Sequence, residues 1–375
     1  MASAYVPGLK VSSALELHIE RRLPLEGEIA VQVGEEVSWD TVVARTFLPG
    51  AVELVNVAAR LGIEPAEVEG ALLKRVGEPI KKGEALAQTK GWWGWGKRTL
   101  VSPLEGVVES YSAVSGSLIV RGPQRPVELK AYAPGKVERL LDREGVVIAS
   151  RAAYVQGIFG IGGETAGELL LFTPDPRGEM AVTSLGPQHR DKILVGGALV
   201  SCEFLRRAAQ LGVKGIVCGG ISDTELAAFL GYDLGVAITG SEKLGLSLVI
   251  TEGFGAMPMA YRTFQLLKRY AGRWVSLSGA TQIRAGVIRP EVIIPLGDGE
   301  FKRSRESQAP LSGLQVGSAA RLIRQPHFGA LAQVVELPLE PQPIPTGAKV
   351  RVAVVELEGG GRLTLPRANL ELIEA

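Results

Sequence analysis

The chain has 375 residues, 46% of them hydrophobic and 22% charged, and its 41 Lys and Arg balance 40 Asp and Glu. That composition excludes a disordered chain, and it excludes an overall field that would draw the protein to nucleic acid or an anionic membrane. Only two cysteines occur, Cys202 and Cys218, both in apolar segments, so they read as buried thiols of a reducing compartment rather than a disulfide framework.

The first residues lack the basic-then-apolar order of a signal peptide, and no apolar run approaches the ~20 residues of a membrane span. A cytoplasmic location without a membrane span is therefore expected. Residues 1–175 read as β-rich: GEIAVQVGEEV, TLVSPLEGVVES and PVELKAYAPGKVERLL are short alternating runs between Gly and Pro turns. A helical patch over about 51–75 interrupts them, with Val55, Leu61, Val68, Leu72 and Leu73 near helical spacing and Pro65 suited to a first turn. Residues 176–190 form a polar connection and an expected boundary. Over 190–298 strands and helices alternate. KILVGG is a strand, and Val200–Leu211 an amphipathic helix stopped by Gly212. GIVCGG is the next strand, and Ser222 or Asp223 caps the helix after it. LSLVITEGFG, WVSLSGATQ and EVIIPLG are further strands. Continuously apolar strands alternating with helices imply a mostly parallel sheet covered by helices. After a polar linker at 299–313, residues 314–375 offer about five short strands, enough for one small barrel. The expected class is multidomain, α/β plus all-β.

Two segments carry resemblances. Val76–Tyr111, through Gly77, Lys82–Gly83–Glu84, Leu86, Ser102–Pro103 and Gly106, resembles the barrel-sandwich fold of biotinyl and lipoyl carriers and of Rnf-type C subunits. The resemblance implies a barrel-sandwich module over about 76–150. Carriers display a modified lysine between methionines; here the stretch is QTKGWWGWGK, which has none, so neither biotin nor lipoate is expected on Lys90 or Lys97, and no cofactor is expected. VGSAARLIRQPHFGALAQVVEL, with Gly317, Arg321, Arg324, Pro326, Gly329 and Val334, resembles the KOW type of SH3-like barrel, as does the ending GGGRLTLPRANLELIE. That implies a small barrel able to contact phosphates through Arg321, Arg324, His327, Lys349, Arg351, Arg362 and Arg367.

Two candidate sites follow from the residues. Ligands of open parallel sheets sit beyond the carboxyl ends of the strands. Here those ends carry Gly196, Gly197, Gly219 and Gly220, with Asp223, Thr251 and Glu252 beside them. Ser278 and Thr281 join from SLSGATQIR, and Arg284 is positioned to grip an anion. The second site is a partner surface of Trp92, Trp93, Trp95 and Lys97 in the Gly-spaced loop, together with Arg321 and Arg324. GIFGIGGE at Gly157–Glu164 has neither the dinucleotide fingerprint nor a Walker ending and reads as tight turns. His18, His189 and His327 lie one per region, and the His and Cys spacings form no zinc pattern. The expectation is a non-catalytic binding or assembly protein with a protein partner, and with nucleic acid as a further partner through the terminal barrel. An enzyme or sensor holding an anionic small molecule at the strand ends is the alternative.

Overall fold

The computed structural model describes residues 9–89, 97–232, 244–281, 288–306, 314–322, 327, 330–344, 349–357 and 360–373. Its centre is an eleven-stranded sheet. The strands are β1 (Val11–Arg22), β2 (Glu36–Val37), β3 (Gly135–Leu141), β4 (Gly145–Gln156), β5 (Phe159–Ile161), β6 (Glu164–Leu171), β7 (Lys192–Val195), β8 (Gly215–Ile221), β9 (Ser247–Phe254), β10 (Trp274–Ser278) and β11 (Glu291–Pro295). The order is β5-β9-β8-β7-β6-β10-β11-β4-β3-β2, with β1 paired to β4 off that path.

The sequence pattern anticipates a mostly parallel sheet, but only β6, β7, β8 and β9 run parallel. Antiparallel β5 closes one side of that block and antiparallel β10 the other. The sheet also crosses the expected boundary at 176–190: β1 to β6 come from the N-terminal half, and the connection merely carries the chain from β6 to β7. Long-range antiparallel pairing leaves no periodic mark that separates it from a local hairpin, which is why the boundary looked natural in the sequence.

The parallel strands are apolar on both sides because helices cover both faces. Ile193, Val195, Val217 and Val249 meet the helices α3 (Tyr261–Arg269) and α4 (Asp298–Glu306) through Phe264, Leu267 and Phe301. Leu194, Ile216, Cys218 and Leu248 meet α1 (Cys202–Leu211) and α2 (Asp223–Leu230) through Phe204, Leu205 and Leu226. Ser201 caps α1 by accepting from the Phe204 amide, and Gly212 ends it at φ +80°, in the left-handed region that suits glycine. Of the two residues proposed to cap α2, it is Ser222 that accepts from the Glu225 amide.

Smaller β units flank the sheet. Residues 52–121 share one core, in which Val57, Leu61 and Val68 of the helical segment pack with Leu86, Val108 and Leu118 of the strands. The helical patch is thus part of this unit rather than an insert beside it, while Leu73 lies half exposed. Glu28–Ile29, Val42–Leu48 and Arg125–Lys130 form a three-stranded sheet whose core includes Val43, Ala131, Val146 and Ile148, so it rests on β4. At the C-terminus β12 (Ala319–Leu322), β13 (Leu331–Glu336), β14 (Val352–Leu357), β15 (Arg362–Pro366) and β16 (Leu370–Ile373) pair antiparallel in the order β15-β14-β13-β12-β16. No described helix is long and apolar enough to cross a membrane.

Candidate functional site

The glycines at the strand ends allow a close approach, and the chain itself makes it. A Cβ on Gly197 would sit 1.8 Å from the Gly178 carbonyl oxygen, and one on Gly219 would sit 1.9 Å from that of Met257. Gly196 faces the Met180 side chain and Gly220 the Gly255 carbonyl. Backbone bonds seal the arrangement: the Ala198 amide donates to Gly178 at 3.0 Å and the Met257 amide to Ala198 at 2.9 Å. The strand ends expected to receive a ligand are therefore filled by the 178–180 and 255–259 segments. Asp223 opens α2 at the surface, and Arg284 lies outside the described residues.

Thr251 and Glu252 lead instead to the C-terminal unit. Both are buried near the end of β9, and Thr251 Oγ1 donates to the Cys218 carbonyl at 3.3 Å. Glu252 Oε1 accepts from the Ala260 amide at 2.9 Å, just before α3. Its Oε2 accepts from Arg321 Nη2, and Arg321 Nη1 donates to the Thr251 carbonyl at 3.3 Å. Arg321, expected on a basic outer face, is only 2% exposed. It projects from the outer face of β12, and the central sheet covers that face. A residue from each candidate list thus meets the other in one ion pair.

Beside this pair the outer face of β12, β13 and β14 diverges from the start of α3 and leaves a cleft of about 770 Å³. Glu252, Tyr261, Arg262, Leu331, Gln333 and Glu356 line it. Tyr261 is 74% exposed at its edge. Its walls mix aromatic and aliphatic surface with a few polar groups, the usual makeup of a binding cleft.

Of the expected partner residues, Lys97 is described and exposed, while Lys90, Trp92, Trp93, Trp95 and Arg324 lie outside the described residues. In the terminal unit Arg362 pairs with Glu356 at 3.7 Å. Arg367 donates to the carbonyls of Val352 and Pro338 at 3.0 and 2.8 Å, so it ties a corner of the sheet together. The GIFGIGG stretch is β5 and a tight turn: the Gly160 amide donates to Thr281 Oγ1 at 2.8 Å and Gly162 takes φ +82°. His189 accepts from the Gly186 amide and packs edge-on to Phe172, which makes it a core residue. Burial pushes the Cys218 thiol well above its ordinary value, as befits an inert sulfur.

A second polar cluster has no counterpart in the sequence reading. In register across β6, β10, β11 and β4 stand Glu164, Ser278, Glu291 and Gln156. Tyr154 donates to Glu291 Oε2 at 2.7 Å and Tyr132 to Oε1 at 3.3 Å. Burial, first, and the nearby Glu164 hold the Glu291 carboxyl above the usual range, against the opposing pull of the two hydroxyls and Arg21. Both tyrosines are pushed well above the ordinary phenol value, chiefly by burial and then by the Glu291 charge. Ser278 was placed near a site by the sequence. Glu291 lies 159 positions from Tyr132 and 137 from Tyr154 in the chain, and only its place as the lone acid opening the apolar run EVIIP hinted at the cluster.

A scan against models of known protein families finds no match, and a search of curated proteins finds none either.

Proposed function

We propose that this chain is a non-catalytic binding or assembly protein that receives a segment of a protein partner in the cleft between α3 and the C-terminal sheet. The observation that carries the reading is the cleft itself: about 770 Å³, open at Tyr261, with Glu252 in its floor held from behind by the buried Arg321. A floor that cannot rearrange cheaply lowers the ordering cost of binding. The architecture supports the same reading. Val76–Tyr111, with its Gly-bearing hairpins inside the 52–121 unit, resembles part of a barrel-sandwich module without the carrier's lysine setting. The five antiparallel strands at the C-terminus resemble an SH3-like barrel of the KOW type, a fold that accommodates many kinds of ligand.

The alternative, an anionic small molecule at the strand ends, loses its main support once Gly197 and Gly219 are seen to face the chain's own carbonyls. Nucleic acid is the weaker partner for the terminal unit, because Arg321 and Arg367 are spent on internal acceptors.

The test is a block of the cleft. Gln333→Trp adds bulk at an exposed cleft position away from both unit cores. A partner retained by the wild-type chain, purified and titrated back, should bind this variant at least about tenfold more weakly, the loss of one well-packed contact. Equal affinity for wild type and Gln333→Trp would remove the cleft from the reading. A melting-temperature rise with a nucleotide or metabolite, lost in Asp223→Ala, would favour the alternative.

A further inference from the structure

Tyr132 is held on every side. Its amide donates to the Trp39 carbonyl at 3.0 Å, and its own carbonyl accepts from Ser276 Oγ at 2.6 Å. Arg21 lies over its ring, 5.5 Å from the centroid, and its hydroxyl reaches Glu291. Its backbone sits at φ +72°, a left-handed conformation that a tyrosine rarely adopts. Such a conformation is costly and persists only when the surroundings over-determine it, as at active sites, ligand clamps and switch regions. The position is also a junction. Tyr132 follows the strand Arg125–Lys130 of the small N-terminal sheet, whereas Ser276 and Glu291 belong to the central sheet.

We propose that the Tyr132–Glu291–Tyr154 cluster is a pH-responsive clasp, closed on the neutral Glu291 carboxyl and loosened by its ionisation. The groups facing Glu291 are Tyr132 before β3, Tyr154 and Gln156 on β4, Glu164 on β6 and Arg21 on β1, while Arg289, on the segment entering β11, acts on Tyr154. In the neutral state the carboxyl O–H donates to one phenol and its other oxygen accepts from the second. In the ionised state both phenols donate, and a desolvated charge stands beside Glu164. Arg21 does not offset that charge fully, because its guanidinium forks onto Glu164 at 2.6 and 2.8 Å. The sign follows from the raised carboxyl: between its usual and its raised titration ranges the folded state binds more protons than the unfolded one. The clasp's contribution is therefore complete below the ordinary carboxylate range and is lost as pH rises through the raised one.

Trp39 and Trp274 provide a local reporter. Their ring centroids are 6.0 Å apart across the same junction, Trp39 next to the small sheet and Trp274 at the head of β10. The experiment follows the near-ultraviolet circular dichroism of this pair, assigned by its disappearance in Trp39→Phe, from about pH 4 to about pH 8, a range bracketing ordinary and raised carboxyls. The wild-type signal should fall along a single titration as pH rises, and Glu291→Gln should hold the low-pH amplitude throughout. A wild-type signal that does not titrate, or a Glu291→Gln signal that titrates like wild type, overturns the clasp. If Glu291→Gln does not fold, Glu164→Gln serves: losing the like charge should move the wild-type midpoint to lower pH, and an unmoved midpoint overturns the proposal equally.

Discussion

The two seams that join flanking units to the central sheet are each built on a carboxylate near a strand end, with different partners. At the C-terminal seam Glu252 meets Arg321, which cannot give up its charge. At the N-terminal seam Glu291 meets two phenols, which serve either protonation state. The first arrangement fixes a unit in place, because removing either member strands a buried charge. The second leaves a seam whose strength depends on a proton. The partner, rather than the carboxylate, decides whether a joint is permanent or conditional.

The sharpest way to break this comparison is to delete the guanidinium. Arg321→Ala leaves Glu252 buried and uncompensated, which should cost about 3–5 kcal/mol. Native-state proteolysis of the C-terminal unit measures it, and the double variant Arg321→Met with Glu252→Gln should recover most of the loss, since well-packed neutral replacements often match a buried pair. A cost near zero for Arg321→Ala would mean that the seam is wet and the cleft floor is not fixed.

An intermediate effect is expected at the other seam. Ser276 is buried and its hydroxyl donates to the Tyr132 carbonyl at 2.6 Å. Ser276→Ala leaves that acceptor without its partner, a loss of about 1–3 kcal/mol. Chemical denaturation followed by the Trp39–Trp274 signal should show the midpoint falling at every pH, because the serine does not titrate. A loss confined to high pH would tie Ser276 to the Glu291 proton and blur the distinction between a fixed and a conditional contact.

How much of these seams was legible follows from where their residues lie. The helices α1 and α2 announce their caps in adjacent residues, so Gly212 was readable directly and the α2 cap narrowed to Ser222 or Asp223, of which the structure uses Ser222. The strand-end glycines are readable as points of close approach for a ligand. What approaches them is a loop of the same chain, and sequence holds no record of which backbone fills a gap. Glu252 and Arg321 were each singled out, one for a ligand and one for phosphates. Their separation of 69 positions hid that each answers the other. Tyr132 and Tyr154 were invisible, and Glu291 stood out only as a lone acid, because register across β10, β11 and β4 is set by long-range antiparallel pairing, which a period-two pattern does not specify.

The smallest effect tests whether burial is the reason that the C-terminal seam is strong. Arg121 pairs with Glu109 across two strands of the 52–121 unit, its Nε and Nη2 reaching one oxygen at 2.9 and 2.7 Å. The contact has the same chemistry as Arg321–Glu252, yet both side chains are 37% exposed. Water already solvates the charges, so the pair gains little and neither member is stranded when the other is lost. Arg121→Ala should therefore shift the unfolding free energy by less than about 1 kcal/mol, and the shift should shrink further at high salt. Denaturant unfolding at low and high ionic strength reads both. If Arg121→Ala cost as much as Arg321→Ala, desolvation would not be what distinguishes the seam from the surface, and the C-terminal unit would have to be held by its apolar contacts instead.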